Sequence, residues 1–182
     1  FIEASPEIEA LALAVDSSDG VVVVPAFAGL GAPHWNPHAR GSILGMTRGT
    51  NRSHIARATL ESIAFQSMDL MDCMQKDSQV SISEVRVDGG ASENALLMQI
   101  QADALGIQVV RPVNGESTAM GAAFFAGLGS GFWKDTDELG ACWKRRDGFE
   151  PSSHRSEMQS RIAAWHRAVR AVLNWSDDTD AS

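Results

Sequence analysis

The sequence predicts an α/β fold built on a sheet whose central strands run parallel. Short β-branched runs alternate with helix-period segments through the middle of the chain. About four or five strands are legible and none forms an opening hairpin, so the sheet reads as incomplete.

The elements follow in order. Ser5 to Val15 mixes Glu and Ala in a helix-friendly way, with Ser5-Pro6 as cap and first-turn residue. Asp19-Gly20 turns the chain into Val21 to Val24, an unbroken β-branched run that reads as a strand covered on both faces. Pro25 to Gly41 is rich in Gly and Pro, yet Phe27, Leu30 and Trp35 are interleaved there, so it reads as an ordered loop rather than a linker. Ser42 to Met46 is a short strand. A long helix runs from about Ser53 to Gln75, capped by Asn51 or Ser53, with Leu60, Ile63, Ala64, Met68 and Met71 at helical spacing.

Val85 to Val87 is the next strand, and Asn94 to Leu105 is a helix stopped by Gly106. Ile107 to Val110 is a strand ended by Pro112. Ser117 to Leu128 is a helix of small residues able to pack closely against a sheet. Met158, Ile162, Trp165, Val169 and Val172 mark one face of a final amphipathic helix, and Ser176 to Ser182 form a polar, acidic tail.

The 182 residues carry a net charge of −8, against a general nucleic-acid or anionic-membrane partner. No apolar run approaches the roughly 20 residues of a spanning helix. Cys73 and Cys142 form no Cys-x-x-Cys pair, so neither a disulfide framework nor a zinc ribbon is indicated, and a reducing compartment is expected. The first residues are Phe1-Ile2-Glu3, without an initiator methionine, and read as the interior of a longer protein.

The strongest local candidate site is Val87-Asp88-Gly89-Gly90-Ala91-Ser92-Glu93-Asn94, where a buried strand gives way to a helix. Ligands of open α/β sheets bind at such carboxyl ends. Two glycines allow close backbone approach, and the N–H groups of the helix start can face phosphate. Asn94 offers a donor and an acceptor to a base or ribose. The same residues equally describe a tight turn capped by Ser92 or Asn94. Asp88 is the carboxylate best placed for catalysis, though a turn-capping role suits it better. Arg40 and Arg48 read as structural. His34 and His38 flank Trp35 in a loop where Pro33 and Pro37 exclude the helix that a four-residue metal spacing needs. Lys144-Arg145-Arg146 reads as a solvated loop.

Gly41-Ser42-Ile43-Leu44-Gly45-Met46, followed after seven residues by His54-Ile55-Ala56-Arg57-Ala58-Thr59-Leu60-Glu61, resembles the second signature of the FGGY family of carbohydrate kinases. Gly29 to Trp35, Arg86 to Ala91, Gln99 to Asp103, Ser117 to Ala123 and Gly131-Phe132-Trp133 are similar to the branch of that family that phosphorylates glycerol. The resemblance implies an actin-like ATPase (ribonuclease H-like) C-terminal domain over residues 1–175, incomplete at its N-terminal strands, followed by the tail 176–182. It implies ATP or ADP as the bound nucleotide, contacted by Gly90 and Asn94 with Gly89 and Ala91 as backbone neighbours. The family's catalytic Asp, its phosphate segment, its Mg²⁺ site for the most part and its glycerol-binding residues belong upstream of Phe1, so no catalytic residue is assigned here. The partners it implies are glycerol, an N-terminal kinase domain and further copies of the enzyme, in the cytoplasm. Glu157 aligns with a family Glu that helps bind a phosphocarrier protein, and also reads as a helix-start acid. Two other readings stay open: a fragment of another sugar or polyol kinase, and a truncated, non-catalytic nucleotide-binding or interaction module.

Overall fold

The computed structural model describes residues 2–153 and 155–177; Phe1, His154 and the rest of the tail, 178–182, lie outside the described residues. Helix α1 spans Glu7–Leu13. Ser5 does not cap it: Glu7 reaches back to the N–H groups of Glu3 and Ala4 at 3.2 and 3.1 Å. Strands β1 (Val22–Val24) and β2 (Ser42–Leu44) pair antiparallel, Val23 opposite Ile43. Val21, Val23 and Val24 are buried, as the β-branched run suggested.

The loop between β1 and β2 is ordered for a different reason from the one its aromatics suggested. Phe27 and Trp35 are 85% and 76% exposed, and Leu30 alone of the three is buried. Order comes from Asn36. Its backbone exchanges hydrogen bonds with Leu30 at 2.8 and 2.9 Å, and its Oδ1 accepts from the N–H groups of His38 and Ala39.

Helix α2 (Arg52–Ser78) begins at a reciprocal cap. Asn51 Oδ1 accepts from the N–H groups of Ser53 and His54, and His54 Nδ1 accepts from the N–H of Asn51. Strand β3 (Glu84–Arg86) leads through a 3₁₀ turn, Gly90–Glu93, into α3 (Ala95–Leu105), which ends at Gly106 with φ +69°. Strand β4 (Gln108–Pro112) lies parallel to β3, giving the parallel pair the alternation predicts. Helices α4 (Ser117–Ser130) and α5 (Thr136–Gly140) follow, then β5 (Arg145–Phe149) and α6 (Arg155–Asp177). The main core joins α2, α3 and α6 to β1, β3 and β4, with Leu60, Phe65, Ile100, Val109, Trp165 and Val169 at its centre. Trp165 is 1% exposed and donates its indole N–H to Asp69 at 2.7 Å.

Four features depart from the sequence reading. The strands divide into two sheets, a two-stranded one and a three-stranded one ordered β3-β4-β5. Lys144-Arg145-Arg146 is not a solvated loop: Arg145 and Arg146 open β5, which pairs antiparallel with β4. Among the described residues helix α4 has no extensive packing against a strand. Gly127 is its one buried residue, under the ring of Trp133, and Phe125 is 80% exposed. Ser176 and Asp177 belong to α6, and Ser176 is buried, accepting from Asn36 Nδ2 at 3.0 Å.

Candidate functional site

The carboxyl end of β3 opens on a cleft of about 620 Å³. One wall is the start of α1, with Pro6, Ile8 and Glu9. A second is α2, with Leu60 and Ile63, and the third is the turn and first residues of α3. Gly90, Ala91 and Asn94 all line it. The helical spacing of α2 marks Ile63 as core, yet it is 39% exposed because its side chain faces this cleft.

Each turn residue has a defined place. Gly89 sits just outside the cleft lining at φ +78°, a conformation that suits glycine, and donates its N–H to Gly115 O at 3.2 Å. Gly90 begins the 3₁₀ turn, and a Cβ added at either glycine would meet no atom within 4 Å. The open side is thus free for a ligand. Ser92 is buried and donates its hydroxyl to Gly89 O at 2.7 Å, closing the turn.

Asn94 is the N-cap of α3, and its Oδ1 accepts from Leu97 N–H at 2.8 Å. The capping reading is therefore correct, and it refines the binding one: with the carbonyl committed, the amide Nδ2 is the group left to face a ligand. The expectation that the helix start offers its N–H groups to phosphate is corrected. Leu97 N–H belongs to Asn94, and Leu96 N–H is taken by Glu9 Oε1 at 2.9 Å. Apolar walls, one amide donor and the carboxylates of Glu9 and Glu93 suit a flat heteroaromatic ring better than a phosphate chain.

Beneath the turn lies Arg111 of β4, which the sequence reading passed over. It is 9% exposed. Its Nη1 donates to the carbonyls of Ser92 at 3.0 Å and Glu93 at 3.3 Å. Its Nε and Nη2 grip Asp147 Oδ1 and Oδ2 at 2.7 and 2.6 Å, and its plane lies over Phe149, 4.8 Å from the ring centroid. Arg146 completes the cluster with a bidentate grip on Glu93 at 3.0 and 3.1 Å. The hydrogen bonds from Arg111 hold the Asp147 carboxyl below its usual range, and those from Arg146 do the same for Glu93.

The other candidates lie elsewhere. Asp88 is exposed and lines no part of the cleft. Arg40 folds back on the carbonyls of Pro37 and Ala39, both at 2.9 Å, which is a structural role. Arg48, His34 and His38 are exposed. Glu157 pairs with Arg161 one turn along α6. Among the described residues no three His, Cys, Asp or Glu side chains converge as a metal site. A smaller cavity of about 250 Å³ lies between the approach to β1 and α6, beside the buried Glu61 and Arg161.

Residues 3–130 match the model of the FGGY family of carbohydrate kinases, C-terminal domain. The chain belongs to that family. Among FGGY kinases, it is 56% identical over 179 residues to a glycerol kinase of Burkholderia ambifaria, covering 98% of this chain and 36% of the relative. It is 57% identical over 175 residues to a glycerol kinase of a Janthinobacterium species. This FGGY chain thus spans about a third of the length of the curated relatives it matches. The crystal structure of Plasmodium falciparum glycerol kinase with ADP superimposes with a TM-score of 0.83 at 34% identity, covering 94% of this chain and 34% of that one. A xylulose kinase of Lactobacillus acidophilus shares the fold at 22% identity and a TM-score of 0.83. The actin-like α/β architecture expected of an FGGY C-terminal domain is therefore the architecture present.

Proposed function

We propose that this chain forms the adenine-nucleotide-binding portion of an ATP-dependent glycerol kinase, which converts glycerol and ATP to glycerol 3-phosphate and ADP. One observation carries the reading: Gly90, Ala91 and Asn94 share an open cleft whose remaining walls are largely apolar. An adenine ring fits between the apolar side chains of α2 and α3. The bare backbone at Gly90 permits close approach, and Asn94 Nδ2 donates to a ring nitrogen. Glycerol is favoured as the acceptor because relatives named glycerol kinase match nearly the whole chain at 56–57% identity.

The phosphates point away from this cleft, toward groups that the remaining two-thirds of the enzyme supplies. Phosphoryl transfer needs a base for the attacking hydroxyl, a metal and γ-phosphate donors held in line. This chain provides the adenine side of that arrangement, and its 182 residues alone do not phosphorylate glycerol. The apolar, exposed face of α4 fits the same reading as a surface for the N-terminal portion of the kinase, in a cytoplasmic enzyme.

Calorimetry with ADP on the complete enzyme tests the site. Gly90→Val fills the backbone approach and is expected to weaken ADP at least tenfold. Unchanged affinity in that variant removes the assignment.

A further inference from the structure

The turn that carries Gly90 and Asn94 is short, glycine-rich and open on its ligand side, and its own backbone holds it by only two hydrogen bonds, Ser92 N–H to Gly89 O at 3.1 Å and Asn94 N–H to Ala91 O at 3.3 Å. Three further contacts hold it. Ser92 Oγ closes it from inside, Gly115 O holds Gly89 N–H, and Arg111 binds two of its carbonyls at once.

Arg111 is unusual in how completely it is itself fixed. The structure pairs it directly with Asp147 in the β4–β5 register. Two parallel hydrogen bonds and the ring of Phe149 leave its guanidinium one orientation. A planar five-donor fork can serve a carboxylate on one edge and two carbonyls on the other; an ammonium cannot. The cluster then closes on the turn a second time. Arg146, next to Asp147 on β5, binds the side chain of Glu93, whose carbonyl Arg111 already holds.

We propose that Arg111, locked by Asp147, is the positioning residue of the nucleotide site: it holds the carbonyls of Ser92 and Glu93 so that Gly90 stays open and Asn94 keeps its amide aimed into the cleft. The proposal rests on the nucleotide reading above and adds to it a determinant of nucleotide affinity that never touches nucleotide. It assigns β5 the role of a brace at a sheet edge, tied to a turn more than fifty residues earlier.

The test uses the complete kinase with Arg111→Lys, Asp147→Asn and Asp147→Glu, measuring ADP affinity by calorimetry, KM for ATP and for glycerol, and melting temperature. Arg111→Lys is expected to raise KM for ATP and Kd for ADP about tenfold while KM for glycerol stays within twofold of the parent. Asp147→Asn should give a smaller loss of the same kind, which Asp147→Glu partly restores. Unchanged ADP affinity in a folded Arg111→Lys enzyme overturns the proposal. So does a loss spread evenly over both substrates in step with a lower melting temperature, the mark of a purely structural role. Should Arg111→Lys fail to fold, the Asp147 pair decides by the same criteria. Gly90→Val separates the two claims. If it leaves ADP binding intact, the nucleotide reading falls. If it abolishes binding while the Arg111 and Asp147 variants bind normally, only the positioning role falls.

Discussion

Glu61 of α2 and Arg161 of α6 meet at 3.0 Å, with Ser18 donating to the other carboxylate oxygen at the same distance. Glu61 is 4% exposed, and Arg57 lies 3.4 Å away on its own helix. Burial outweighs these partners and raises the Glu61 pKa above its ordinary value, with Arg161 the largest opposing influence. A carboxyl that binds its proton more tightly when folded contributes most to stability below its unfolded pKa. That contribution is lost as pH rises through the folded value. Glu61→Gln cannot lose a proton, so wild-type stability should fall relative to this variant as pH rises from about 4 toward 7. Thermal melts across that range check it, and parallel pH profiles for the two proteins would contradict it.

Asn94 caps α3, and substitution can separate that role from the proposed contact with nucleotide. Asn94→Ala removes both the α3 cap and the amide donor, so stability should fall by about 1 kcal/mol and ADP affinity should fall as well. Asn94→Asp keeps the capping oxygen and replaces the donor by a charge. We expect it to hold the melting temperature near that of the parent while ADP binds about tenfold more weakly, a loss of roughly 1.4 kcal/mol in line with a hydrogen bond to the ligand. Equal effects of the two variants on stability would remove the cap from the account. Full affinity in Asn94→Asp would remove the donor.

Most of the fold was legible because its signals are local. The cap at Asn51, the stop at Gly106 and the repeat from Met158 to Val172 each lie within a few turns of chain. The turn from Gly89 to Asn94 was legible for the same reason, as two glycines and an asparagine between a strand and a helix. What supports that turn was not. Arg111 follows two buried valines in its strand, and β5 reads as a charged loop because its first residues, Arg145 and Arg146, are charged and exposed. The pairing of Arg146 with Glu93 spans 53 residues and that of Arg111 with Asp147 spans 36, which no spacing rule reaches. The exposure of α4 was equally hidden, since an apolar helix predicts burial and says nothing of which chain segment supplies it.

Gly45 explains one glycine of the kinase-like signature. Its φ is +77°, and a Cβ there would collide with the carbonyl oxygen of Gly20 at the mouth of β1. Gly45→Ala therefore combines a left-handed backbone penalty of roughly 1–2 kcal/mol with a steric clash against main chain that cannot step aside. We expect a loss of at least about 2 kcal/mol in urea unfolding, with α2 and the Gly89–Asn94 turn unperturbed in the folded protein. Gly89→Ala makes a useful contrast: it has a similar φ, +78°, and open space around the added methyl. Its cost should be the backbone share alone, and a Gly45→Ala loss no larger than that of Gly89→Ala would refute the clash.

The surface of α4 makes a final prediction about the whole enzyme. Phe125 is 80% exposed, Phe132 just beyond the helix is 77% exposed, and the buried contact at this end is Trp133 against Gly127 and Phe124. Among the described residues this mostly apolar helix packs on little beyond Trp133, and so has little besides its own hydrogen bonds to resist opening. In the 182-residue chain its amides should exchange with solvent much faster than those of α3, which is buried between α2 and β4. On the proposed docking of the N-terminal portion against this face, the same amides should gain at least tenfold protection in a complete kinase, while α3 changes little. Phe125→Ser should reduce that gain without altering exchange in the isolated chain. Identical α4 exchange in the two forms would mean that the N-terminal portion docks elsewhere and that the apolar face serves another purpose.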